Sequence, residues 1–260
     1  MNAPARTEGP GLAARIVKTR GRFALDVELA CAPGELLALV GPSGSGKTTI
    51  LRCLAGLEAP GGGRIAVDGA VWDEPGRKIR LTPQARGAGL LTQDYALFPH
   101  MTVLQNVVFA LPSGPKTGTA RHGGLPDDPM ALLAIMGIES LARKKPRDIS
   151  GGERQRAALC QTLARRPALL LLDEPFSALD VENRMGLRER IMDIKRTWNI
   201  PIVHVTHDLA DALVMADRIV SLKNGRRDDA WLERQKALLA AEQASLFGGL
   251  GHAAHARPAA

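Results

Sequence analysis

One stretch constrains this chain more than any other: Gly41, Pro42, Ser43, Gly44, Ser45, Gly46, Lys47, Thr48 and Thr49. It fits the phosphate-loop pattern G-x-x-x-x-G-K-[ST], which needs a buried strand running into it and a helix leaving it. Both are legible. Residues 35–40, Glu-Leu-Leu-Ala-Leu-Val, make a short continuous apolar run of the kind found in strands covered on both faces. Residues 47–56 then read as a helix. The glycines let backbone N–H groups curl around phosphate oxygens, and the helix N-terminus adds its positive dipole end. Lys47 neutralises phosphate charge, and Thr48 offers its hydroxyl to a magnesium ion.

The second half of such a site lies far downstream. Ala168 and four leucines run into Asp173, Glu174 and Pro175, a second buried strand ending in paired carboxylates. In open α/β sheets ligands bind at that edge. Adjacent strand residues point to opposite faces, so the two acids are expected to do different work. Asp173 would hold Mg²⁺ and Glu174 would polarise an attacking water. A third strand, residues 200–206, stops at His207 and Asp208, on the same edge. His204, inside that strand, is expected to pack or to face a neighbouring element.

Bulk properties narrow the setting. The 260 residues suit one large domain, or a domain with an appended lobe. With 45% hydrophobic but only 3% aromatic residues, the core should be aliphatic. The net charge of +7 is spread along the chain without a Lys/Arg run long enough for a nucleic-acid arm, so no nucleic-acid partner is expected. Cys31, Cys53 and Cys160 sit in apolar surroundings and read as buried reduced thiols, as in a cytosolic protein. No apolar run reaches the roughly 18 residues that span a bilayer, and Met1 to Thr7 hold no signal-peptide core. The expectation is a soluble cytoplasmic chain unless a partner holds it at a membrane.

The remaining segments read as follows. Residues 1–12 are expected to be disordered, and residues 13–29 to form an antiparallel hairpin carrying Phe23. Phe23 has two readings, an adenine-stacking ring or a core-facing strand residue. Residues 60–92 hold short strand-like runs between turn signals, and Gln93 sits at a strand end before aromatic and proline residues that suit a hinge. Residues 112–129 are a low-complexity interruption, read as a mobile surface loop in which His122 has no companion ligands. A helical pattern resumes over 130–141. Ser150 and Glu153 form a capping-box pattern ahead of a long helix running through Arg165. Either this is simply a well-capped helix, or Ser150, Gly151 and Gly152 leave its N-terminus open to an anion. A loop over 176–180, a helix over 209–216, a strand over 217–222 and a turn over 223–225 close the domain. From Asp228 an amphipathic helix around Trp231 frays into a tail holding His252 and His255.

The order of these pieces resembles the nucleotide-binding subunit of ATP-binding-cassette (ABC) transporters. Residues 41–48 resemble the Walker A loop, Gln93 the Q-loop glutamine, Ser150 to Gln155 the family signature, and residues 169–174 Walker B. Ser177, Ala178, Leu179 and Asp180 resemble the D-loop, and His207 the switch histidine. The resemblance covers about residues 13–226. It departs at Ile149 and Glu153, where the commonest signature has Leu and Gln. A second departure is residues 86–89, Arg-Gly-Ala-Gly, where importers usually have a second basic residue and a bulkier aliphatic. Residues 78–83, 199–208 and 216–220 are most similar to the ATPase of molybdate importers, with tungstate, sulfate and other anion importers as near neighbours.

The resemblance implies an α/β P-loop NTPase core, a mixed sheet with flanking helices, joined to an antiparallel β subdomain and to a helical signature subdomain over about residues 94–165. It implies ATP and Mg²⁺, with Thr48, Gln93 and Asp173 on the metal and Glu174, His207 and Gln93 in catalysis. It also implies a head-to-tail dimer in which Ser150, Gly151, Gly152 and Glu153 of one copy complete the other copy's site. A membrane permease would dock near residues 93–101, and a periplasmic solute-binding protein would act indirectly. The chain would then lie peripherally on the cytoplasmic face of the inner membrane. The residues after 226 are too few for the β-barrel lobe many relatives carry, so a short helix and a disordered tail are expected there.

Overall fold

Strands that alternate and strands that do not fall into two separate sheets. The computed structural model describes residues 9–112, 126–177 and 179–248. β1 (Leu12–Arg20) and β2 (Phe23–Cys31) form a hairpin, paired from Leu12 opposite Cys31 to Arg20 opposite Phe23. Along β2, Leu25, Val27, Leu29 and Cys31 are buried while Asp26 and Glu28 are exposed, the pattern of a sheet wet on one side. β3 (Leu36–Val40) has no alternation, and all five of its residues are buried. It feeds α1 (Lys47–Ala55), after which β4 (Gly62–Val67), β5 (Ala70–Glu74) and β6 (Ile79–Arg80) return to the antiparallel sheet. That sheet runs β2-β1-β4-β5-β6.

The second sheet adds β7 (Ala88–Leu91), β8 (Leu169–Asp173), β9 (Ile202–Val205), β10 (Arg218–Lys223) and β11 (Arg226–Arg227), in the order β11-β10-β3-β9-β8-β7. Its pairings are parallel apart from β10 with β11. Between β7 and β8 the chain forms α2 (Val103–Ala110), α3 (Pro129–Ile135) and α4 (Gly151–Ala164), which share one core with the sheet. α5 (Val181–Trp198) joins β8 to β9, α6 (Leu209–Met215) joins β9 to β10, and α7 (Asp229–Gly248) follows β11. One sheet face, with Leu37, Leu39, Leu169 and Leu171, packs on α1 and the antiparallel sheet. The other, with Leu36, Leu170, Leu172 and Ile202, packs on α4 and α5. Since β3, β8 and β9 are parallel neighbours, the residues that follow each of them open on one edge.

Several sequence expectations change. Between the 176–180 loop and the strand near 200, a stretch to which the sequence reading assigns nothing, lies the 18-residue α5. Its signal is present in the chain: Asp180 caps it, and Leu187, Ile191, Ile194 and Trp198 recur at helical spacing on the buried face. The helix expected over 130–141 stops at Ile135, because Gly137 takes a left-handed φ of 65°, and only a 3-10 turn follows at Glu139–Leu141. α7 is 20 residues rather than a short helix. Leu232 is buried against Val40 and Ala212 while Leu238 stays 58% exposed. His122, His252 and His255 lie outside the described residues.

The odd stretch at 86–89 has a packing account. Arg86 is wholly buried and donates from Nη1 to the Cys53 carbonyl (2.6 Å), from Nε to Leu81 (3.1 Å) and from Nη2 to Asp73 (2.5 Å). It thereby satisfies a carbonyl at the C-terminal end of α1 and ties that helix to the antiparallel sheet. A Cβ on Gly89 would meet Thr162 Cγ2 at 2.8 Å and Pro167 Cβ at 3.0 Å, which explains why no bulkier aliphatic stands there. All three cysteines are buried and free. Burial pushes the Cys31 thiol up to about 12 and the Cys53 thiol to about 11, so both stay protonated. Among the described residues no helix is long and apolar enough to cross a membrane.

Candidate active site

The loop after β3 owes its shape to glycine. Gly41, Gly44 and Gly46 take φ of 147°, 77° and 107°, in the region that disfavours side chains. A Cβ on Gly41 would lie 2.1 Å from the Leu222 carbonyl oxygen, and one on Gly46 would lie 3.0 Å from the Phe23 ring. Gly225 braces the loop from below, its N–H donating to the Ser45 carbonyl at 3.2 Å while its carbonyl accepts from Asp26. Gly46 caps α1 without any side-chain acceptor, so the first N–H groups of the helix face the loop's concavity with their positive dipole end. Lys47 is buried, its Nζ donating to the carbonyls of Gly41 (2.7 Å) and Pro42 (3.0 Å). Burial lowers its pKa, against the opposing pull of Glu174 and Asp173. Ser45 Oγ is buried with no hydrogen-bond partner among the described residues, and Thr48 is exposed.

The acids reach the same edge by different routes. Asp173 ends β8, opposite Val205 of β9. Burial raises its pKa first, the charge of Glu174 raises it further, and Lys47 opposes both. Glu174 was expected to differ from Asp173 by strand alternation. Instead it lies beyond the strand with a left-handed φ of 50°, held by its N–H to the Val205 carbonyl at 3.0 Å. A backbone turn, rather than the pleat, separates the two carboxylates. His207, following β9, brings its Nδ1 to 2.8 Å from Glu174 Oε2. Ser177 Oγ donates to the Glu174 carbonyl at 3.1 Å and accepts from Gln93 Nε2 at 3.5 Å. Gln93, Ser177, Glu174 and His207 thus form one polar chain.

The other expected site residues lie elsewhere or have other partners. Phe23, half-buried, sets its ring against Gly46 beside the loop. Ser150 and Glu153 make the full capping box: Ser150 Oγ accepts from the Glu153 N–H (3.3 Å), and Glu153 accepts from the Ser150 N–H (2.7 Å). Among the described residues no hydrogen bond joins that helix start to the phosphate loop of the same chain. Asp180 caps α5 by accepting from the Asn183 N–H at 2.9 Å. Sequence reasoning did not single out Asn183, Arg184, Arg188 or Asp211, which tie α5 to its surroundings. For Asn183, Arg184 and Arg188 the signal was a cluster of polar residues in the two turns after Asp180, on a helix to which no reading was given; Asp211 answers them from α6.

A glycine loop heading a helix, a buried lysine and two carboxylates on one sheet edge define a P-loop nucleotide-binding domain. The residues suit a triphosphate and its metal: a cradle with no room for a Cβ at Gly41 or Gly46, a buried hydroxyl at Ser45 with no partner among the described residues, and two neighbouring carboxylates. Residues 24–177 match the model of the ABC transporter family, and the chain belongs to that family. ATP, with Mg²⁺, is the nucleotide of this domain.

The chain is 42% identical over 213 residues to the sulfate/thiosulfate import ATP-binding protein CysA of Caulobacter vibrioides, covering 81% of this chain and 61% of that protein. It is 40% identical over 230 residues to the spermidine/putrescine import ATP-binding protein PotA of Frankia alni, covering 87% and 47%. The chain therefore spans about half to three-fifths of the length of these relatives. Its fold is similar to that of the dimeric MJ0796, a bacterial ABC transporter cassette, with a TM-score of 0.66 and 28% identity over 84% of this chain and 96% of that one. The resemblance to molybdate importers is not matched by these relatives, which are sulfate/thiosulfate and polyamine import proteins.

Proposed function

We propose that this chain is the ATP-hydrolysing subunit of a bacterial importer, working as a head-to-tail dimer beneath a membrane permease at the cytoplasmic face of the inner membrane. The observation that carries the reading is the meeting, on one sheet edge, of the Lys47 loop with Glu174 and its 2.8 Å partner His207. In this account Lys47 and the N–H groups of α1 hold the phosphates, and Phe23, beside Gly46, supplies a face for adenine. Thr48, Asp173 and Gln93 would hold Mg²⁺, which would supply charge neutralisation at the transferred phosphate. Glu174 orients and deprotonates the attacking water, and His207 fixes the Glu174 carboxylate through Nδ1. Ser150, Gly151 and Gly152 of the second copy present the start of α4 to the same nucleotide, with Glu153 holding Ser150 in its cap.

The helices over about residues 94–165 form the lobe that meets the permease near Gln93 and Met101, where Phe98 packs edge-on to Phe109, itself 56% exposed. A periplasmic solute-binding protein delivers cargo to the permease, and the solute does not touch this chain. An inorganic oxyanion is the favoured cargo. The sulfate/thiosulfate relatives support it, and the similarity of residues 78–83 and 199–208 to molybdate importers keeps molybdate or tungstate within the same class. Polyamine uptake is the second reading, favoured by the PotA relative. Affinity purification from detergent-solubilised membranes tests the assembly. A hydrophobic permease should co-purify and stimulate hydrolysis, and an isolated chain with unstimulated activity would defeat the importer reading. Uptake of radiolabelled sulfate, molybdate and putrescine by cells lacking the chain separates the cargoes.

A further inference from the structure

The first two turns of α5 touch three parts that the proposed dimer assigns to two different ATP sites. Asn183 holds Asp180 through two contacts, its N–H to Oδ1 at 2.9 Å and its Nδ2 to Oδ2 at 2.8 Å. The Asn183 Oδ1 accepts from Arg156 Nη1 of α4 at 3.3 Å, and it lies 3.0 Å from where a Cβ on Gly152 would be. One residue on, Arg184 Nη1 donates to Asp208 Oδ2 at 2.7 Å. Asp208 is the neighbour of His207 and is otherwise fully engaged: its Oδ1 caps α6 through Ala210 and Asp211, and its N–H donates to Thr206 Oγ1 at 3.0 Å. Arg188, a turn further along α5, pairs with the buried Asp211. The turn that carries His207 is therefore clamped to α5 from two sides, and α5 is clamped to the start of α4.

We propose that Arg184 and Asn183 are positioning residues that couple the two ATP sites of the dimer. The proposal rests on the shared-site reading above, in which Gly152 serves the partner's nucleotide and His207 serves the chain's own. A shift of the α4 start on engaging the partner's nucleotide reaches Asn183 directly. α5 carries it one residue to Arg184, and Asp208 passes it to the turn that sets His207 against Glu174. Neither residue is among those assigned to the nucleotide. The link consists of a charge-assisted hydrogen bond and a short helix segment, so it acts through geometry rather than through a change in charge.

The test is steady-state ATP hydrolysis against ATP concentration for the wild-type chain, Arg184→Gln, Arg184→Lys and Asn183→Ala, alongside Tm and ATP affinity. Arg184→Gln should lower kcat about tenfold, the loss expected of one charge-assisted hydrogen bond, with ATP affinity of the isolated chain unchanged. Its Hill coefficient should fall from above 1 to about 1. Arg184→Lys should recover part of both, and Asn183→Ala should lower the Hill coefficient in the same way. A merely structural role would lower Tm and active fraction without moving the Hill coefficient. A cooperative wild type whose Arg184→Gln and Asn183→Ala variants keep its Hill coefficient overturns this proposal alone. Should Arg184→Gln fail to fold, Asn183→Ala decides. A wild type that neither dimerises with ATP nor hydrolyses cooperatively overturns the shared-site reading beneath it.

Discussion

His204 gives the sharpest stability prediction, because its environment fixes both sign and size. The imidazole lies inside β9 with none of its surface exposed, edge-on to Phe176 at 5.4 Å between ring centroids, and neither ring nitrogen has a hydrogen-bond partner among the described residues. Burial pushes its pKa from 6.5 down to about 3. The folded protein thus keeps His204 neutral while the unfolded chain takes up a proton as pH falls through 6.5. Between about pH 6.5 and pH 3 the unfolded state binds more protons, so stability drops as pH drops, by about 1.4 kcal/mol per unit below pH 6. Going from pH 7.5 to pH 5.5 should cost about 1.4 kcal/mol through this residue alone. His204→Phe keeps an aromatic ring beside Phe176 and removes the titration. Urea unfolding of both proteins at the two pH values should show the wild type losing about 1.4 kcal/mol more than the variant. Equal losses would refute the argument that a neutral buried imidazole is part of the fold.

The other predictions concern the loop and its supports. Asp73→Ala should cost about 3–5 kcal/mol in chemical unfolding, since it strands the wholly buried Arg86 guanidinium, and a loss under 1 kcal/mol would show that the carbonyl contacts suffice. Gly41→Ala must place a methyl group 2.1 Å from the Leu222 carbonyl oxygen at a φ of 147°, so it should lose about 1–3 kcal/mol and raise KM for ATP; a variant as stable as wild type would contradict the loop geometry. Lys47→Ala should weaken nucleotide binding about tenfold or more in a fluorescent-ATP titration, and unchanged affinity would remove Lys47 from the phosphate cradle.

Much of this organisation was legible because the motif residues are fixed by local chemistry. The loop over 41–49 needs its glycines whatever surrounds it, and the short run Leu169 to Leu172, ending in Asp173, Glu174 and Pro175, reads as a strand buried on both faces. That three such strands lie side by side, bringing Lys47, Glu174 and His207 to one edge, is a tertiary fact that spacing alone could not supply. The turn at Glu174 was misassigned because strand alternation was extended one residue past the end of β8. α5 went unread although its caps and apolar spacing were present. With it went the Arg184 and Asn183 contacts, which depend on which helix lies beside β9. Arg86 and Gly89 were visible as departures from a pattern, but only packing against Asp73, Thr162 and Pro167 explains them.

The central claim is that each ATP site is built from two chains. Glu174→Gln, which should bind ATP without turnover, is the background in which to measure it. By light scattering, this variant should change with ATP and Mg²⁺ from a 27.7 kDa monomer to a dimer of about twice that mass. Adding Ser150→Arg should leave ATP binding intact and abolish the dimer. A Glu174→Gln chain that stays monomeric with ATP bound, or a double variant that dimerises as well as its parent, would contradict the claim.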